Sequence, residues 1–202
     1  LTEATVIDLA RQEASLIITI DCGVTAHAEV ELAIENGIDV IITDHHQIRD
    51  GLPPAYAVIH PARTDQSYRY ENLAGSGVAM TLVSALREAT GGPSTWDDPS
   101  VMELVALGTV ADIVRLTGEN RSLVTRGLRA IRQTSRVGLI ALCEAANVAP
   151  DAVTSHTIGY VLAPRLNAAG RLSDARISFE LLSTSDPSKS RRLALELDQL
   201  NR

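Results

Sequence analysis

The stretch Ile38-Asp39-Val40-Ile41-Ile42-Thr43-Asp44-His45-His46 decides the fold. Its β-branched run reads as a buried strand, and the strand runs straight into three potential metal ligands. Twenty-three positions before Asp44, the run Leu16-Ile17-Ile18-Thr19-Ile20 likewise ends in a carboxylate, Asp21. Between the two runs Cys22-Gly23-Val24 turns the chain, Thr25 offers an N-cap, and residues 26–36 form an amphipathic pattern that stops at Gly37. A strand-helix-strand crossover makes the strands parallel, so Asp21 and Asp44-His45-His46 are expected at one carboxyl edge of one sheet, where open α/β folds place their ligands. A lone Asp after a strand is usually a turn former. Two histidines beside an acid point instead to a metal site, because Asp readily orients a neighbouring imidazole. The oxygen-rich, sulfur-poor donor set suits Mn²⁺ or Mg²⁺ better than structural Zn²⁺.

With 202 residues, 45% of them hydrophobic, the chain has ample material for a core. Only 3% are aromatic, so that core is Leu, Ile, Val and Ala, and stacking of bases on Phe, Tyr or Trp is not expected. Cys22 and Cys143 lack metal-type spacing and imply a reducing compartment without a disulfide framework. There is neither a signal-peptide pattern nor an apolar run near the roughly 20 residues of a membrane span, which makes the cytoplasm the expected location. The net charge of −7 argues against a nucleic-acid partner until its distribution is read. Residues 1–114 carry 5 basic and 17 acidic side chains, whereas residues 115–202 carry 13 basic and 8 acidic, so the second part is electropositive.

Past the crossover unit, residues 55–59 read as a third strand ended by His60-Pro61, and Gly75-Ser76-Gly77 opens a helix running to Thr90. Residues 101–114 are apolar enough for a buried helix, in which Asp112 would be costly unless paired, capped or metal-bound. From Glu119 onward the pattern is helical, and Arg129, Arg132 and Arg136 read as a solvated helix face. The expected organisation is an α/β domain over residues 1–150, a parallel sheet with helices on both faces, followed by a helical connector over 151–202.

Asp21-Cys22-Gly23, Asp44-His45-His46, Gly108-Thr109-Val110-Ala111-Asp112 and Arg165-Leu166-Asn167-Ala168-Ala169-Gly170-Arg171-Leu172 occur in the order and spacing of one family. Over residues 15–202 the chain resembles the RecJ branch of the DHH phosphoesterase superfamily, single-strand-specific 5′→3′ DNA exonucleases of repair and recombination. The resemblance implies hydrolysis at two Mn²⁺ or Mg²⁺ ions, with Asp21, His45 and Asp112 as ligands and Asp44 and His46 orienting ligands or touching phosphate. It also implies single-stranded DNA held by Arg165, Asn167 and Arg171, and a helicase or single-strand-binding protein as candidate partner. Arg165 and Arg171 would flank a small Asn-Ala-Ala-Gly turn.

The family's upstream Asp-x-Asp-Gly motif is missing from the 202 residues, as is its downstream substrate domain, and the chain starts at Leu1. The sequence therefore reads as a fragment without its first strand, inactive by itself, since too few carboxylates remain to neutralise two adjacent cations. The alternatives are a DHH phosphoesterase for short oligonucleotides or cyclic dinucleotides, and a non-catalytic nucleic-acid scaffold, which would not need Asp21, His45 and Asp112. A nicotinamide-binding domain is excluded in practice, because no Gly-x-Gly-x-x-Gly follows any strand.

Overall fold

Parallel pairing is the organising feature of the N-terminal part. The computed structural model describes residues 1–172 and 174–202, apart from the side chains of residues 171 and 172. By packing, these residues form two compact units, Leu1–Pro93 with Gly118–Asn120, and Ser94–Thr117 with Arg121–Arg202.

The first unit contains α1 (Glu3–Arg11), β1 (Leu16–Ile20), α2 (His27–Glu35), β2 (Asp39–Thr43), β3 (Ala57–Ile59) and α3 (Gly75–Ala89). The sheet order is β1-β2-β3. Both pairings are parallel, with Leu16 to Ile20 facing Asp39 to Thr43, and Ile41 to Thr43 facing Ala57 to Ile59. The mixed α/β fold expected from the two β-branched runs is therefore present. Alternation along each strand sends Ile17, Val40, Ile42 and Val58 to one face, where Val6 of α1 and Val30 and Ala33 of α2 cover them. That face sets the register, because a slip by one residue would turn the whole apolar set outward. Leu16, Ile18 and Ile20 stand on the other face of β1 and are exposed. α2 starts behind Ala26, with no side-chain cap. The expected cap, Thr25, is instead an exposed residue of a turn that Ala26 closes through its amide to the Gly23 carbonyl at 3.0 Å.

In the second unit lie α4 (Pro99–Ala111), most of α5 (Gly118–Ile131), α6 (Val137–Ala145), α7 (Ser155–Thr157), a π turn (Ile158–Leu162), α8 (Ala163–Leu172), α9 (Arg176–Ser183) and α10 (Pro187–Asn201). α4 is launched by Asp98, whose carboxylate accepts from the Ser100 amide at 3.0 Å, with Pro99 in the first turn. The core gathers Leu139, Leu142 and Cys143 of α6, Leu181 of α9, and Leu193 and Leu197 of α10 around Ile158 and Leu162. Burial pushes the Cys143 thiol up to about 11, so it is an inert packing group.

Proline accounts for the π turn. Pro164 has no amide hydrogen and its ring crowds the preceding turn, so the helix widens just before it. The Val161 carbonyl accepts from Nη1 of Arg165 at 2.7 Å. The rest of that guanidinium turns to Asp198 of α10, with Nε at 3.0 Å and Nη2 at 2.9 Å from Oδ1. The Asp198 side chain is 5% exposed and that of Arg165 only 17%, so this is an interior pair. Arg202 reaches the other carboxylate oxygen at 2.8 Å from the surface.

Two local expectations are overturned in this unit. The Asn167-Ala168-Ala169-Gly170 segment is no turn but part of α8, continuous with Arg165. Arg136, read as solvated, bonds Glu103 at 3.1 Å, the Leu182 carbonyl at 2.7 Å and the Ser100 carbonyl at 2.8 Å. Glu103 is buried, and a buried carboxylate draws in the nearest cation whatever the helix pattern suggests.

The Arg202 hydrogen bond foremost, with burial opposing and Arg165 assisting, holds the Asp198 carboxyl below its ordinary value of 3.8. A depressed carboxyl stabilises the fold above that value, and the contribution is lost as pH falls from there through the lower folded value. Asp198→Ala strands the Arg165 charge and is expected to cost about 3 kcal/mol in urea denaturation at pH 7. Arg202→Ala, at the exposed end, is expected to cost less than about 1 kcal/mol.

Candidate metal centre

Asp21 follows β1 directly and takes a left-handed backbone, φ +63°, a conformation that a short polar side chain tolerates and that gathers at functional sites. Its amide donates to the Thr43 carbonyl at 2.9 Å, extending the β1–β2 ladder one residue past the strand. Two threonines lock the same end. The Thr43 hydroxyl donates to the Thr19 carbonyl and the Thr19 hydroxyl to the Cys22 carbonyl, both at 2.7 Å. Gly23 then turns the chain at φ +113°, where a Cβ would stand 2.9 Å from Thr19 Oγ1.

Asp44 is the buried pivot, with 1% of its surface exposed. One carboxylate oxygen accepts from the Val24 amide at 2.9 Å, and the other from the amides of His45 at 2.7 Å and His46 at 3.1 Å. That second oxygen also meets His46 Nδ1 at 2.7 Å. Burial works against ionisation, and the Val24 and His46 amides, the His46 ring and the His45 amide overcome it, so the carboxyl is held below its ordinary range. The bond from Nδ1 to the carboxylate fixes the orientation of the His46 ring and leaves Nε2 outside that bond.

His45 Nε2 lies 3.0 Å from Asp21 Oδ1. One donor atom each from Asp21, His45 and His46 falls within 4.8 Å of the others, close enough for a shared cation. The nitrogen and carboxylate donors fit Mn²⁺ and Mg²⁺ coordination, Mn²⁺ the better for its imidazoles. Asp44 bonds the backbone of both histidines, and His46 brings a donor atom into the same cluster as Asp21 and His45.

Gly75 and His60 are further parts of the site that sequence reading missed. The first residue of α3 lies so close to Asp21 that a Cβ on Gly75 would run into the Asp21 carboxylate. His60, buried just past β3, donates from Nε2 to the His46 carbonyl at 2.7 Å, while its Nδ1 accepts the Ala62 amide at 3.1 Å. The tautomer is thereby fixed, and the backbone of the triplet is tied to the end of the third strand. The signal for His60 was its place at the end of a third parallel strand, the same edge that holds Asp21 and Asp44.

The remaining candidates belong to the second unit. Asp112 is the C-cap of α4 and exposed, so the burial penalty expected of it does not arise. Arg165 is held by Asp198 and Val161, and Asn167 is exposed on α8. The side chain of Arg171 lies outside the described residues.

Residues 2–109 match the family described as "DHH family, N-terminal domain". The single-stranded-DNA-specific exonuclease RecJ of Bacillus subtilis is 41% identical over 188 residues, 93% of this chain and 23% of that protein. The Escherichia coli protein of that name is 43% identical over 197 residues, 93% of this chain and 34% of that protein. The crystal structure of RecJ in complex with Mn²⁺ from Thermus thermophilus matches with a TM-score of 0.88 at 38% identity, over 99% of this chain and 29% of that one. The chain spans roughly a quarter to a third of the length of these curated relatives.

Two substitutions test the site's construction. Gly75→Ala is expected to displace Asp21 and weaken Mn²⁺ binding in calorimetric titration by about tenfold or more, with an unchanged far-ultraviolet circular dichroism spectrum. Asp44→Asn cannot accept all its present donors, and is expected to lower unfolding free energy by about 1–3 kcal/mol as well as metal affinity.

Proposed function

Because the chain belongs to the DHH family, we propose that it is the metal-binding part of a phosphodiesterase that degrades single-stranded DNA from the 5′ end. The observation that carries this reading is the clustering of Asp21, His45 and His46 within 4.8 Å at the carboxyl edge of the parallel sheet, in a chain 41–43% identical to curated single-stranded-DNA-specific exonucleases.

When bound there, Mn²⁺ or Mg²⁺ would polarise the phosphodiester, acidify the attacking water and stabilise the departing oxygen. Asp21, bearing a carboxylate at a strand end, and His45 beside it would hold the cations. Asp112 is proposed as a further ligand on the strength of the Gly108-to-Asp112 motif. Asp44 holds the His46 ring in place through its Nδ1, so it acts by orientation and charge. We assign residues 1–150 to the catalytic domain and 151–202 to a helical connector. The electropositive second part favours a long polyanion over short oligonucleotides or cyclic dinucleotides. Asn167 and Arg171 are proposed to touch the DNA; Arg165, committed to Asp198, would position α8.

DNA repair and recombination in the cytoplasm, with a helicase or single-strand-binding protein alongside, is the setting we propose. No helix among the described residues is long and apolar enough to cross a membrane.

The test is digestion of 5′- and 3′-labelled single-stranded DNA by the natural full-length chain with Mn²⁺ or Mg²⁺. Mononucleotides should leave from the 5′ end, chelation should stop the reaction, and Asp21→Ala or His45→Ala should reduce it by about a thousandfold or more. Release from the 3′ end, or equal action on duplex DNA, would overturn the reading. The 202-residue chain alone is expected to show no turnover in the same assay, since Asp21, Asp44 and Asp112 carry too little negative charge for two adjacent cations.

A further inference from the structure

The second unit carries one feature that the metal centre does not use. A cleft of about 700 Å³ lies between the end of α4 and the π-turn–α8 segment, lined among others by Ile113, Leu116, His156, Tyr160, Pro164 and Asn167. The His156 and Tyr160 rings are stacked, with centroids 4.6 Å apart and planes at 26°. Tyr160 is 76% exposed and Ile113 90%, which is far from where apolar side chains of this size usually rest. Ile113 is moreover held in the left-handed region at φ +60°, a costly conformation for a β-branched residue. It follows Asp112 directly, and Ala111 on the other side of that acid also lines the cleft.

We propose that this cleft is a nucleobase subsite, in which one base of the single strand stacks on Tyr160 with its edge toward Asn167. The proposal rests on the reading of the chain as a single-strand nuclease and adds to it a residue that grips a base rather than a phosphate.

Three observations favour a base over a protein side chain. The exposed aromatic face is flat and already backed by His156, which pre-orients it at little entropic cost. The volume falls within the ordinary range for small-ligand sites, and Asn167 brings both donors and acceptors to it. Among the described residues the cleft is lined by no Lys, Arg, Asp or Glu, while residues 115–202, which supply most of the lining, carry 13 basic against 8 acidic side chains for the phosphates that accompany any base. An aromatic content of 3% excludes an extended stacking platform, but a subsite for one base needs one ring. Stacking is indifferent to base identity, as a nuclease that degrades any sequence requires.

The experiment measures binding of the full-length chain, in Ca²⁺ to prevent cleavage, to a fluorescent oligothymidylate and to an abasic oligonucleotide of the same length and charge. Tyr160→Ala should weaken oligothymidylate binding about tenfold, the scale of one stacked base. The same variant should leave abasic binding at the wild-type level, and Tyr160→Phe should bind both like wild type. An unchanged oligothymidylate affinity in Tyr160→Ala overturns the proposal and assigns the surface to a protein contact. Equal loss on both oligonucleotides also overturns it, assigning Tyr160 to structure. Failure of the wild type to bind either strand would instead reject the nuclease reading itself.

Discussion

The buried Asp44 carboxylate is the interaction on which the site depends. It joins the turn after β1, through the Val24 amide, to the turn after β2, through the His45 and His46 amides. A buried carboxylate with fewer partners would protonate or expel itself to solvent, because desolvation of the charge is expensive. With these partners it stays ionised, and its negative charge fixes the His46 imidazole. One acid thus sets the separation of two loops and the orientation of a candidate ligand.

Everything around Asp44 restricts movement of the same edge. The Thr19 and Thr43 hydroxyls, the Asp21 amide and the His60 imidazole each satisfy a carbonyl at the carboxyl ends of the strands. The hydroxyls and the imidazole add side-chain donors to this edge, and the Asp21 amide adds one last ladder bond. The strain of a left-handed Asp21 is tolerated because its neighbours determine it from several sides. A preorganised donor set of this kind does not have to be assembled when a cation arrives, which saves ordering entropy at the moment of binding.

The second unit is governed by a different physics. Its helices rest on a leucine-rich core, and its buried charges are matched pairwise, Glu103 with Arg136 and Asp198 with Arg165. Such pairs add little net stability over apolar substitutes, yet each is costly to break from one side, so they select one helix arrangement over its alternatives. Arginines that looked like a uniform basic face therefore divide into structural and solvent-facing groups. That division leaves the stacked His156–Tyr160 pair exposed at the surface of this unit.

Sequence by itself determined the parallel crossover and the meeting of Asp21 with Asp44-His45-His46, because β-branched runs and a helical spacer constrain both strand direction and the edge where their ends emerge. Local patterns also located α4 close to where it lies, and the structure shows Asp98-Pro99 starting it. What only tertiary structure decided were the partners separated widely along the chain. Gly75 beside Asp21 and Arg165 on Asp198 have no local pattern that announces them, and His60, though marked by its strand end, shows its bond to the His46 carbonyl only in space. Even the helix over Asn167 to Gly170 was hidden, since small residues read as a turn, whereas burial of Ala168 and Ala169 carries α8 through them. Periodicity reports what a residue's neighbours in sequence permit, whereas burial and charge pairing are settled by neighbours in space.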